Sequence, residues 1–198
     1  MINNKFLSIF AVYLFKIKVM SKNSTYVLKL LNVVSWIVFI GLCIKAGSLL
    51  CSYGVSMFIN EVGAKNLSLG LDLSQLKAYD VVDYSIMVFC ITTITILEAL
   101  LFYAVIQIFL KINYVSPFHE TIGKLILRMS GFSLLIGIMS NITVSYSAKF
   151  TNLGMNLSHL TEHIGHGDAF LFFAGILYFI SQLFAKGIEL QKENELTI

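Results

Sequence analysis

The sequence predicts an all-α integral membrane protein. The expected architecture is a four-helix bundle with both termini cytoplasmic, preceded by an N-terminal segment that is either an amphipathic helix or flexible. Three observations carry this reading. Four apolar blocks occupy residues 28–52, 84–110, 125–145 and 169–184, on the scale of the roughly 20 apolar residues that cross a hydrocarbon core about 30 Å thick. The 198 residues are 57% hydrophobic and only 13% charged, with mean hydropathy +0.82. Soluble domains carry about 25% charge, so lipid must solvate much of this surface. Finally, the basic residues are unevenly spread, which sets an orientation.

In chain order, residues 1–24 form the first segment. The apolar stretch from Phe6 to Phe15 is flanked by Lys5, Lys16 and Lys18. It is short for a span and has no small-residue cleavage site after it. Lysines on both sides suit a helix lying on an anionic membrane surface. Residues 25–198 form one membrane domain, with a cytoplasmic tail at 185–198. Lys22 precedes the first span and Lys29 stands at its start, Lys111, Lys124 and Arg128 lie around the second turn, and Lys186 and Lys192 follow the last span. The other two connections carry only Lys65 and Lys77, and Lys149. Cytoplasmic loops are rich in Lys and Arg, so both termini are expected inside. The second and third spans should form an antiparallel hairpin. Its turn breaks at Ser116, which Pro117 holds extended, and a new helix starts near His119.

The longest outer connection, about 60–83, alternates leucines at Leu67, Leu69, Leu71 and Leu73. That pattern suits a strand, but a lone strand has no partner, so an interfacial loop is the alternative. The net charge of +3, with a single arginine, gives no nucleic-acid footprint. Cys43, Cys51 and Cys90 lack motif spacing and read as small apolar core residues.

Three sets of residues could carry chemistry. Glu98 lies near the middle of the second span, where a carboxylate costs a few kcal/mol and suggests a functional role. Lys45 in the first span is its candidate partner, roughly 5 to 10 Å away in depth at 1.5 Å per residue. A buried contact that fixes helix register and a proton or ion path are both open for this pair. Asn141 and Asn32 read as polar contacts between helices, and Ser130, Gly131, Ser133, Gly137 and Ser140 as a close-packing stripe. His159, His163 and His166 form a candidate metal set. His159 and His163 share a helical face, and with Glu162 they follow the order of the inverted zinc-protease signature. Their rim position favours a solvated loop or helix cap. No complete catalytic set is present, so no enzymatic activity and no cofactor are expected.

The third set lies on the cytoplasmic rim: Ser116, Pro117 and Phe118 in the hairpin turn, and the tail 185–198, helical to about Glu195 and ending Glu193 to Ile198. These two stretches resemble the DUF2975 family of small bacterial membrane proteins. Its members have four spans, a Pro-Phe element between spans two and three, and a similar tail. The resemblance implies no enzymatic activity. It implies a bacterial inner-membrane protein often encoded beside a small helix-turn-helix regulator. The expected partners are therefore the bilayer and that regulator, with no direct nucleic-acid contact and with homo-oligomerisation open. Partner binding falls on Pro117, Phe118, Glu189, Glu193, Asn194, Glu195 and Leu196. A small transporter or ion-pathway subunit centred on Glu98 is the alternative function.

Overall fold

A computed structural model describes residues 4–60, 62–112, 119–155, 157, 160, 163–164 and 166–195, with side chains from Tyr26 to Glu193. Among the described residues there are six helices and no strand: α1 (Asn4–Phe58), α2 (Val62–Lys65), α3 (Ser74–Tyr79), α4 (Val81–Lys111), α5 (Glu120–Thr151) and α6 (Gly167–Glu195). Four segments are long and apolar enough to cross a membrane: Tyr26–Phe58, Val81–Lys111, Glu120–Thr151 and Gly167–Glu193. The chain is a multi-pass membrane protein. Every span overruns its apolar block, because helical hydrogen bonding continues into the polar flanks wherever no breaker intervenes. The backbone of α1 is already helical from Asn4, but the side chains that would make it amphipathic lie outside the described residues.

Each span packs against its neighbour in sequence, α1 on α4, α4 on α5 and α5 on α6, while α1 and α6 share no more than marginal contact. The expected bundle is thus an open series, not a closed ring. Lipid tails are as apolar as leucine, so an apolar helix face gains little by leaving lipid for another apolar face. Ile37 and Ile44 on α1 are accordingly about two-thirds exposed. Cys43 and Cys51 are exposed and Cys90 is half-buried, which corrects the core reading of the cysteines.

The helices alternate in direction. Tyr53 on α1 donates to Ser85 on α4 at 3.0 Å, and Phe39 meets Tyr103 with ring centroids 5.8 Å apart. Tyr146 near the end of α5 donates to Asp83 at the start of α4 at 2.5 Å. We call the end holding α2 and α3 the loop end, and the end holding the end of α4, the start of α5 and the end of α6 the tail end.

The loop end contains the tightest core. Leu49, Leu67, Leu73, Leu76, Tyr84, Met87, Phe150, Leu160 and Ile164 are completely buried, and Leu71 nearly so. The alternating leucines form no strand. Asn66 Oδ1 accepts from Gly70 N at 3.1 Å, and Asp72 Oδ1 from Ser74 N at 2.8 Å. Leu69 and Gly70 adopt positive φ of 49° and 85°. Asn, Asp and Gly turn chemistry overrides period-two alternation. The turn points Leu67 and Leu71 inward and leaves Leu69 exposed at its apex. The Leu73 N–H then bonds the Ala64 carbonyl at 2.9 Å. Gly63 lets α2 sit on α1, since a Cβ there would stand 2.6 Å from the Ser52 carbonyl oxygen. Asp80 turns the chain into α4, its carboxylate accepting from Val82 N at 2.6 Å and Asp83 N at 3.0 Å. Such a cap contributes about 1 kcal/mol.

The small residues of α5 form its seam with α6. Ser130 donates to the Ala174 carbonyl at 2.9 Å, Ser133 to that of Phe170 at 2.9 Å, and Ser140 to that of Ile164 at 3.3 Å. A Cβ at Gly137 would lie 2.7 Å from Leu171 Cγ and 2.9 Å from the Gly167 carbonyl oxygen. With Gly137, these serines recur at alternating spacings of three and four, the period that keeps one stripe facing a partner helix. Gly131 lies off this stripe and faces open space.

Candidate functional site

Glu98 is half-buried on α4. The antiparallel register of α1 and α4 brings Lys45 within about one helical turn of its level. The two form no direct ion pair: Lys45 Nζ donates instead to the His163 carbonyl at 3.3 Å. Lys45 thus belongs to a polar lattice that ties α1 to the loops. The His163 ring Nε2 meets the Ser68 carbonyl at 3.1 Å, and Ser48 donates to the Leu67 carbonyl at 3.3 Å. Ser56 pairs with Tyr84 at 2.7 Å, and Lys77 Nζ donates to the Ser56 carbonyl.

This lattice bears on the histidine set. The His163 ring is engaged with a backbone carbonyl, and His166 is exposed, its carbonyl accepting from Ala169 N at 3.1 Å at the start of α6. His159 and Glu162 lie outside the described residues. Among the described residues no group of three His, Cys, Asp or Glu side chains gathers to hold a metal. Asn141 does bridge two spans, its Nδ2 donating to Asp168 Oδ1 at 3.0 Å. Asn32 Oδ1 and Thr92 Oγ1 are buried without a hydrogen-bond partner.

The tail end carries charge-edged recesses, whereas the loop-end half carries an apolar one, about 480 Å³ between α1 and α4, lined by Leu50, Tyr53, Phe89 and Ile96 among others. Between the start of α5 and the end of α6 lies a groove of about 410 Å³. Its lining is mainly apolar, from Gly123, Leu127, Ala185 and Ile188, with Ser181 and Gln182 beside them. Charges rim it. Glu120 pairs with Lys124 at 2.7 Å, Glu189 pairs with Lys186 at 2.6 Å, and Lys192 completes the edge. Gly123 faces Phe184, its Cβ position 3.6 Å from the Phe184 Cβ. The last two turns of α6 therefore project past the start of α5. Of the residues expected to bind a partner, Glu189 lines this groove and Glu193 is exposed. The side chains of Asn194 and Glu195, and Pro117, Phe118 and Leu196 altogether, lie outside the described residues.

A second recess of about 250 Å³ opens at the same end between α4 and α5. It brings together Lys111 and Arg128, which sequence reasoning used only to orient the chain. Arg128, the one arginine of the chain and already inside the third apolar block, was the signal that could have marked it. No family, curated protein or solved structure was found to match the chain. The DUF2975 resemblance therefore stands on its two quoted stretches alone.

Proposed function

We propose that this is a non-enzymatic regulatory protein of the bacterial cytoplasmic membrane, with both termini inside, that holds a cytosolic helix-turn-helix regulator at its tail end. The observation that carries this reading is the α5–α6 groove. A mainly apolar lining between charged edges suits the apolar face of an amphipathic helix, and the rim presents both signs of charge. The projecting end of α6 lengthens that surface into the cytoplasm. Holding the regulator there keeps it from DNA.

The test is co-expression of the full chain with the regulator encoded beside it, followed by membrane co-purification and a target-promoter reporter. The regulator should co-purify, and deleting 189–198 or introducing Ile188→Glu should release it and change reporter output. If the deletion leaves both binding and transcription unaltered, the docking reading fails.

The second reading, a small transporter or ion-pathway subunit, is favoured by one observation: Glu98 sits in mid-span with Lys45 near but not paired to it. Four spans are few for a transporter, so this reading requires a homo-oligomer. In proteoliposomes Glu98→Gln would abolish a proton-dependent flux. A variant that merely unfolds at lower temperature assigns Glu98 to structure.

A further inference from the structure

We propose that the recess between α4 and α5 at the tail end is a binding site for the phosphate head group of an anionic membrane phospholipid. Its polar lining includes Gln107 and Lys111 from α4, and His119, Glu120, Lys124 and Arg128 from α5 and its N-cap. Three cations face one carboxylate. Among the described residues, Lys111 and Arg128 make no hydrogen bond or ion pair. Lys124 is bound only by Glu120, in a pair whose side chains are 69% and 65% exposed. Exposed pairs of that kind are weak, so an incoming phosphate can take over Lys124 at little cost.

Depth places the site at the membrane surface. Lys111 follows the second apolar block directly, and Arg128 lies three positions inside the third. A cation so placed reaches back toward the interface with its long side chain. Phosphates lie at that level, and basic recesses between spanning helices bind phospholipid head groups there. Guanidinium adds a planar donor fork matched to phosphate oxygens.

The surface below the recess distinguishes a lipid from a free anion. At 100° per residue, Leu100 shares the α4 face of Gln107 and Lys111, and Leu135 shares the α5 face of Lys124 and Arg128. Both are exposed, at 40% and 49%. A phosphate held by Lys111 and Arg128 thus has an apolar track beneath it for acyl chains. Inorganic phosphate would leave that track unused. Lys111 and Arg128 line this recess alone, while Glu120 and Lys124 are shared with the α5–α6 groove.

Native mass spectrometry of the full-length protein in a neutral detergent tests this, with phosphatidylglycerol, phosphatidylcholine and inorganic phosphate as probes. Phosphatidylglycerol should be retained over phosphatidylcholine. One cation near the surface is worth about 1 kcal/mol, so Lys111→Gln and Arg128→Gln should each weaken phosphatidylglycerol binding roughly fivefold, and together about thirtyfold. Lys65→Gln at the loop end should leave it unchanged. Equal retention of both lipids overturns the proposal, as does an unchanged double variant or an equal loss in Lys65→Gln. Competition by inorganic phosphate at equal concentration overturns the lipid assignment. If Arg128→Gln fails to fold, Lys111→Gln decides alone, and unchanged binding there overturns the site.

Discussion

The two ends of this molecule are built on different physics. At the loop end, a short stretch of chain between the first two spans buries Leu67, Leu71, Leu73 and Leu76 against Tyr84, Met87 and Phe150. Ser48 and the His163 ring then tie that stretch down through the Leu67 and Ser68 carbonyls, and Lys77 within it reaches the Ser56 carbonyl of α1. At the tail end the helices part around two recesses edged by charge. A connection exposed to water gains from burying leucine as any soluble core does. Helices in lipid gain nothing comparable from mutual contact. The protein therefore has one end closed by packed loops, which fixes the spans, and one more open end edged by charge.

The sharpest way to break this contrast is to excavate the closed end. Leu76→Ala removes a completely buried side chain and should cost about 3 kcal/mol. Ile188→Ala in the open groove should cost well under half of that. Unfolding in micelles, followed by circular dichroism against denaturing detergent, compares the two. Equal losses would remove the distinction between the ends.

Next in size is the seam that joins them. Gly137→Val forces a branched side chain against Leu171 and the Gly167 carbonyl and should cost about 2 kcal/mol. Gly131→Ala meets no atom within 4 Å and should be neutral or stabilising by up to about 1 kcal/mol. Thermal unfolding of the pair reports whether close approach, not glycine content, holds α5 to α6. Ser133→Ala deletes one interhelical bond at 2.9 Å and should cost about 0.6 kcal/mol, typical of such bonds in membranes. A loss of several kcal/mol would show that the serine stripe, rather than the glycine, dominates the seam. The smallest effect belongs to the open end. Lys186→Gln breaks an exposed pair on α6 and should leave the unfolding temperature unchanged, since exposed ion pairs contribute little.

The same contrast explains what could be read in advance. The α5 stripe was legible as packing because small residues at helical spacing have one efficient use in lipid. The helix start beside His119 was legible too: Pro117 disfavours helix just before itself, and the His119 side chain caps the next turn, accepting from Thr121 N at 3.3 Å. The fate of the leucines was not. Alternation suggested a strand, while Asn66, Gly70 and Asp72 supplied a turn whose effect depends on what lies beneath it. Lys45 was paired with Glu98 by depth, yet it bonds a carbonyl 118 residues away in sequence, a contact no local pattern encodes. Arg128 reads in sequence as a topology charge, and only the packing of α4 on α5 brings it into one recess with Lys111.

Hydropathy and length alone determined that four segments of this chain belong in a membrane, because the cost of hydrating so much apolar surface depends on composition and not on contacts. The segments' order of packing, the failure of the ring to close, the buried leucine loop and the two recesses at the tail end were decided only in three dimensions. Lipid is indifferent to which apolar faces meet. The arrangement therefore rests on a few small residues, turns and carbonyl bonds whose partners are distant in sequence.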